Sequence, residues 1–381
     1  MTTQPSAPFE ALSLDELRTR TSVKWRMHPP DVLPLWVAEM DALPVPAVVD
    51  AVAEALRRGD TGYPAPVGGV EYAEALAEVA VARWGWHLDV TATSIVADVL
   101  TGVNEALELV TRPGDGVLVP APVYAPLLDF TAAQGRTVVP VGLTPEFRLD
   151  LDAIGEELAL GRVRALLLCS PHNPTGTVHT ADELRAVAAL AAEHRVAVVV
   201  DEIHALLVPE GTVFTPYLSV ADEGLVVTSA SKAFNLAGLK AGVIVAGARS
   251  RHLLERIPLS VTYGVSHLGV IAHVAAWHGG AAWIDAVNAN ITANADHLGE
   301  LLAARIPEIG YLRPPSTYLC WLDCRRLGLG DDPATTFLER GRVALNAGSA
   351  FGPGGAGHVR LNLAASRSTL ADAVDRMASA L

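Results

Sequence analysis

The chain has 381 residues, half of them hydrophobic, and a formal net charge of −14. A chain this long can bury a large core and is expected to divide into two domains rather than one. Its acidic balance argues against nucleic acid or an anionic membrane as the main partner.

The first ten residues are polar, with neither the basic start nor the apolar core of a secretion signal, and no uninterrupted apolar run reaches about 18 residues. Cys169, Cys320 and Cys324 sit mostly in apolar runs, which fits buried thiols in a reducing compartment and not a disulfide frame or zinc site. A cytoplasmic protein is expected. Residues 1–45 read as an arm rich in Pro and Trp. A helix is predicted to begin after Pro46 and run to Arg58, with Val48, Val49, Val52 and Leu56 on one face, and another from Val70 to Trp84. From there strand, loop and helix alternate. The strand candidates are Gly116–Pro120, Thr137–Val141, Ala165–Cys169, Val196–Val200, Leu225–Thr228 and Gly242–Ala246. Most are continuous apolar runs, as in parallel strands covered on both faces. Helices are predicted over Gly102–Thr111, Ala125–Gln134, Ala181–His194 and Ser266–His278.

The expected fold class is α/β, with a mostly parallel sheet sandwiched by helices in a large domain (46–280) and ligands beyond the carboxyl ends of the strands. After residue 280 the pattern changes to a long helix, Ala281–Arg305, then short strands (Tyr318–Asp323, Val343–Leu345, His358–Leu363) and helices (Pro333–Arg340, Thr369–Leu381). This gives a smaller α+β domain, 281–381, with the arm packed against it. Gly352–Gly357 matches the glycine spacing of a dinucleotide-binding loop, but it precedes a strand instead of joining a strand to a helix, so that reading fails.

Only three lysines occur: Lys24, Lys232 and Lys240. A lysine amine condenses with an aldehyde and an arginine guanidinium does not, so a lysine kept in an arginine-rich chain invites a chemical reading. Lys232 lies in Ser229-Ala230-Ser231-Lys232, just after a predicted strand, beside hydroxyls suited to a phosphate. Alone, that stretch is weak evidence and reads first as a solvated loop lysine. Five other stretches complement it. Asp201 ends the run Val196–Val200 and could hold a protonated ring nitrogen. Asn173, in Ser170-Pro171-His172-Asn173-Pro174-Thr175-Gly176, offers an amide donor, and its bond to Pro174 is a candidate for the cis form. Tyr124 could stack on a ring. Thr101-Gly102-Val103-Asn104 opens a predicted helix whose free N–H groups suit a phosphate. Arg360, set among apolar residues, could grip a carboxylate bidentately.

Together these stretches resemble the fold-type I pyridoxal phosphate enzymes of the class I/II aminotransferase superfamily. More narrowly they are similar to the MalY/PatB group of cystathionine β-lyases. The matching segments cover nearly the whole chain: SVKW (22–25), LPLWVAEMD (33–41), GYP (62–64), SPHNPTG (170–176), DEIHALLV (201–208), SKAFNLAGL (231–239), STYLCWLD (316–323) and RLNLA (360–364).

The resemblance implies that Lys232 binds pyridoxal 5'-phosphate covalently and removes the substrate Cα proton. Asp201 would pair with the ring nitrogen, Asn173 with the ring oxygen, and Tyr124 would stack on the ring. His204 stands where many related aminotransferases carry a tyrosine. Ser229 and the amides of Gly102 and Val103 would hold the phosphate. Arg360, with backbone near Ala38, would bind the substrate carboxylate, and Tyr63 would cross into the neighbouring site of a homodimer. Three departures stand out. Glu39 and Ala42 replace the usual Asp and Phe, predicting a more open pocket wall. Lys240 replaces a phosphate-binding arginine. The implied reaction is β-elimination on an L-cysteine S-conjugate such as L-cystathionine, with an aminotransferase as the alternative and a non-catalytic binding protein as a third reading.

Overall fold

The computed structural model describes residues 7–64 and 69–381. The N-terminal arm carries the short helices α1 (Leu14–Arg18) and α2 (Val23–Arg26) and the two-residue strand β1 (Leu33–Pro34). The central layer is built from β2 (Thr93–Val96), β3 (Gly116–Ala121), β4 (Thr137–Gly142), β5 (Val163–Cys169), β6 (Ala197–Asp201), β7 (Leu225–Thr228) and β8 (Gly242–Ala246). They form a seven-stranded sheet in the order β2-β8-β7-β6-β5-β3-β4. β8 runs antiparallel to both its neighbours, and the other pairs are parallel. Burial explains the apolar composition: every residue of β3 and β8 is shielded from water, as a sheet covered on both faces demands.

The covering helices are α3 (Pro46–Arg57), α4 (Gly69–Trp84), α5 (Val99–Val110), α6 (Ala125–Ala133), α7 (Leu151–Ala159), α8 (Ala181–His194), α9 (Leu259–Tyr263) and α10 (His267–Gly279). Their starts are written in the sequence. Thr180 and Glu183 close a reciprocal capping box on α8, and Asp98 caps α5 by accepting the Thr101 N–H at 2.8 Å. That cap moves the start of α5 three residues ahead of the predicted Gly102. The strand β2 and the helix α7 were not among the sequence expectations.

Beyond residue 280, α11 (Ala281–Arg305) leads into β9 (Gly310–Tyr311), β10 (Leu319–Asp323), α12 (Pro333–Glu339), β11 (Val343–Ala344), β12 (Asn346–Ala347), β13 (His358–Asn362) and α13 (Arg367–Ser379). The order β12-β13-β10-β9 makes a four-stranded antiparallel sheet. The arm joins this part of the chain, with β1 pairing in parallel with β11.

A buried ion pair ties the arm down. Lys24 Nζ lies 2.6 Å from Asp41 Oδ1, with the two side chains 1% and 2% exposed, and also donates to Glu39 O at 3.1 Å. Removing one partner of such a pair strands the other charge away from water, which costs about 3–5 kcal/mol. Lys24→Met should therefore lower the unfolding free energy by about 3 kcal/mol or more, read from urea denaturation. Adding Asp41→Leu should recover most of that loss, and a double variant no more stable than the single one would contradict the assignment.

Candidate active site

The site lies where the carboxyl ends of β5, β6 and β7 meet β13. Asp201 closes β6 where its apolar run stops, and Asn173 and Lys232 follow in the turns after β5 and β7. A cavity of about 360 Å³ is lined by Asp201, Lys232, Tyr124, Asn173, His204 and Arg360, among others. Those six come from five separate sequence stretches, and the structure brings them together.

Lys232 sits in the turn after β7, and its Nζ donates to Ala38 O at 3.0 Å. Burial, then the nearby positive charge of Arg360, lowers its pKa to about 8. Asn235, three residues on, adopts a left-handed backbone (φ 57°), a conformation asparagine tolerates better than most residues. Its amide then pins the 36–42 strap, accepting from Met40 N at 2.8 Å and donating to Met40 O at 2.9 Å. The Tyr318 hydroxyl also donates to Ala38 O, at 3.1 Å.

Asp201 is 3% exposed, and burial raises its carboxyl to about 6. One oxygen accepts the Ile203 N–H at 3.0 Å, and it forms no ion pair among the described residues. Asn173 Oδ1 accepts from Arg360 at 3.0 Å, and its backbone carbonyl accepts the Tyr124 N–H at 2.9 Å. Arg360, mid-strand in β13, also donates to Trp36 O at 3.1 Å and Asn346 Oδ1 at 3.0 Å, while its Nε is buried without a partner. His204 is buried, with its pKa lowered to about 3 by desolvation, so the ring is neutral; its Nδ1 has no partner.

Several expectations need correction. Gly102 and Val103 do not line the cavity. They lie one turn inside α5, where the Gly102 N–H is spent on Asp98 O at 2.9 Å and the Val103 side chain packs in the core. Asp98, Val99 and Leu100 take their place at the cavity wall. Ser229 is not at the wall either, because its hydroxyl donates to Ala241 O at 2.7 Å and accepts the Ser231 N–H at 3.1 Å; Ser231 is the serine that faces the cavity. In this stretch the cis bond precedes Pro171, at Ser170, and not Pro174; a second lies between Ala121 and Pro122. Glu39 and Ala42 open no pocket wall: the Glu39 carboxylate binds Ser22 at 2.7 Å and Ala42 is buried in the core. Tyr63, expected to reach a neighbouring chain's site and not its own, stands away from this cavity, 83% exposed, with its ring edge-on to Tyr263 at 6.1 Å.

Sequence reasoning missed Trp36, Asn346 and Asn362. Asn362 donates to Val37 O at 2.8 Å and Glu39 O at 2.7 Å, fixing the strap from the small sheet. A buried asparagine in an apolar strand was the available signal.

The donor set fits pyridoxal phosphate. A buried carboxyl without a cation, a lysine with a lowered pKa and an arginine with an orphaned N–H face one cavity, and each awaits a partner that the cofactor and an amino acid would supply.

The model of the family "Aminotransferase class I and II" matches residues 30–377. A protein of Mycobacterium tuberculosis named "Putative cystathionine beta-lyase" is 50% identical, with 98% of each chain covered. The cystathionine beta-lyase of Corynebacterium glutamicum is 35% identical, covering 97% of this chain and 99% of its own. Among solved structures, cystalysin from Treponema denticola, which contains pyridoxal 5'-phosphate, superposes with a TM-score of 0.89 at 26% identity over 97% of both chains. With its central sheet, its strand-end lysine and aspartate and these relatives, the chain belongs to the class I and II aminotransferase family.

Proposed function

We propose that this protein is a pyridoxal phosphate-dependent carbon–sulfur β-lyase that acts on L-cysteine S-conjugates of the L-cystathionine type. The observation that carries this is the convergence of Lys232, Asp201 and Arg360 on one cavity. Relatives named cystathionine beta-lyase, matched over nearly their full length, support the choice of reaction. When bound, the cofactor supplies an aldehyde that captures amines and a protonated ring that accepts the electrons of a Cα carbanion.

Asp201 would hold the ring nitrogen's proton, and a cation beside it would keep its buried carboxyl ionised. Asn173 and Tyr124 would orient the ring. Val99 and Leu100 at the start of α5, with Ser231, would receive the phosphate. Arg360 would grip the substrate carboxylate and so fix the Cα–H bond toward Lys232, whose amine takes that proton. Trp36, Ile203 and Phe351 provide an apolar wall for a thioether and exclude water from it. Overall, L-cystathionine and water give homocysteine, pyruvate and ammonia.

The test is to add L-cystathionine to the purified holoenzyme and follow pyruvate and free thiol together. Equal amounts of both are expected. Conversion of the cofactor to its amine form without pyruvate would instead assign an aminotransferase.

We also infer a cytoplasmic homodimer in which Tyr63 reaches the neighbouring site. Support comes from exposed Tyr63, Leu259 and Tyr263, apolar side chains that a partner would cover. Light scattering that returned the 40.0 kDa mass of one chain would remove the dimer. Among the described residues, no helix is long and apolar enough to cross a membrane. We further divide the chain into an arm (1–45), a large domain (46–280) and a small domain (281–381), supported by the pairing of β1 with β11.

A further inference from the structure

The start of α5 departs from what a phosphate anchor needs. Such anchors rest on free N–H groups and positive charge, and small neutral residues are the usual company. Here the capping residue is an aspartate. Asp98 spends one carboxylate oxygen on the Thr101 N–H at 2.8 Å, and the other accepts from Lys240 Nζ at 2.8 Å. Both residues line the same cavity as Ser231 and Lys232. The pair is accessible, with Lys240 53% and Asp98 33% exposed, so it can rearrange. Partial burial raises the Asp98 carboxyl, but Lys240 and the Thr101 N–H outweigh this and hold it below the usual range, so it is charged at neutral pH.

Lys240 lines this end of the cavity, Lys232 beside it is committed to the cofactor aldehyde in the reading above, and Arg360 is engaged with Asn173, Trp36 and Asn346 at the β13 end. The Asp98–Lys240 pair therefore leaves this end of the site with no net ionic charge where a dianionic phosphate would be received. We propose that Asp98 competes with the cofactor phosphate for Lys240, so that the site grips the phosphate of pyridoxal phosphate loosely and exchanges the cofactor readily. This rests on the cofactor reading above. Lys240 moves from the Asp98 carboxylate to the phosphate as the cofactor enters, and Asp98 recaptures it as the cofactor leaves.

The test uses the apoprotein, titrated with pyridoxal 5'-phosphate and, separately, with pyridoxal, which has the aldehyde and ring but no phosphate. Kd is read from the Schiff-base absorbance. Asp98→Asn keeps the cap to Thr101 while removing the charge. One carboxylate charge set near a dianion in a watery site weakens binding about tenfold. Asp98→Asn should accordingly tighten pyridoxal phosphate about tenfold and slow its dissociation, with pyridoxal unchanged.

Lys240→Met should weaken pyridoxal phosphate and reduce the gain that Asp98→Asn brings. An unchanged or weaker Kd in Asp98→Asn would overturn the proposal. So would equal tightening of pyridoxal, which would point to reshaping of the pocket, or a Lys240→Met variant that binds pyridoxal phosphate as well as the wild type. If the wild type gave no Schiff-base band at any concentration, the cofactor reading itself would fall, which is a separate result.

Discussion

Replacing Lys232 by alanine is expected to abolish pyruvate formation from L-cystathionine, with a fall of about 10⁴-fold or more, because proton transfer loses its base. The overall fold should survive, since the Lys232 ammonium is not part of any ion pair among the described residues and its one hydrogen bond goes to Ala38 O. The Schiff-base absorbance should vanish while pyridoxal phosphate remains bound without the covalent link. The lysine also makes a pH-dependent statement. Its folded-state pKa of about 8 is well below that of a free lysine, so the amine becomes reactive as pH rises through about 8. Labelling of the apoprotein with an amine-directed anhydride, resolved by peptide mass spectrometry, should climb at Lys232 between about pH 7 and 9. Labelling that rises only near pH 10 would contradict the lowered pKa, and residual pyruvate above about 1% of wild type would contradict the role.

Arg360→Met is expected to lower kcat/KM for L-cystathionine by about 10²- to 10⁴-fold, the range seen when one member of a buried charged pair is truncated. Methionine fills the space under Phe351, over which the guanidinium carbon stands at 5.1 Å, but it cannot bind a carboxylate. Arg360→Lys should recover only a small part, because an ammonium is a point charge and cannot form the two parallel hydrogen bonds of a guanidinium. Cofactor binding should change little in either variant. If kcat/KM held while cofactor affinity collapsed, Arg360 would belong to the cofactor and not to the substrate.

The large sheet was legible because parallel strands buried on both faces are long apolar runs. β2 was not, because Thr93-Ser94-Ile95-Val96 is short and half polar, and its place at the sheet edge comes from antiparallel pairing with β8. The aspartate and the arginine could be picked out because each ends or breaks an apolar run, and the lysine because lysine is scarce in this chain. The phosphate end could not be placed correctly. Gly102 draws the eye as a helix opener, yet its small size serves packing: a side chain there would meet Val227 at 2.5 Å and Val96 at 2.9 Å. The true opener, Asp98, looks like an ordinary cap. Ser229 and Ser231 are equivalent on paper, and only the turn geometry decides which hydroxyl is spent on the backbone. The scarcity of lysine was more informative than its single use suggested, since Lys24 anchors the strap, Lys232 faces it, and Lys240 meets Asp98 across the same cavity.

The strap from Trp36 to Ala42 is held from both ends of the polypeptide. Arg20 donates to Met40 O at 3.2 Å and to Ala42 O at 2.8 Å, Lys24 reaches Glu39 O, Asn235 brackets Met40, and Arg360 and Asn362 secure Trp36, Val37 and Glu39. During synthesis on the ribosome, the sheet and Lys232 are complete long before residues 360–362 leave the exit tunnel. A nascent chain can thus assemble the lysine's own loop while the carbonyl that receives its amine is still unfastened. The strap is therefore fastened last, when the final strand brings Arg360 and Asn362 to it.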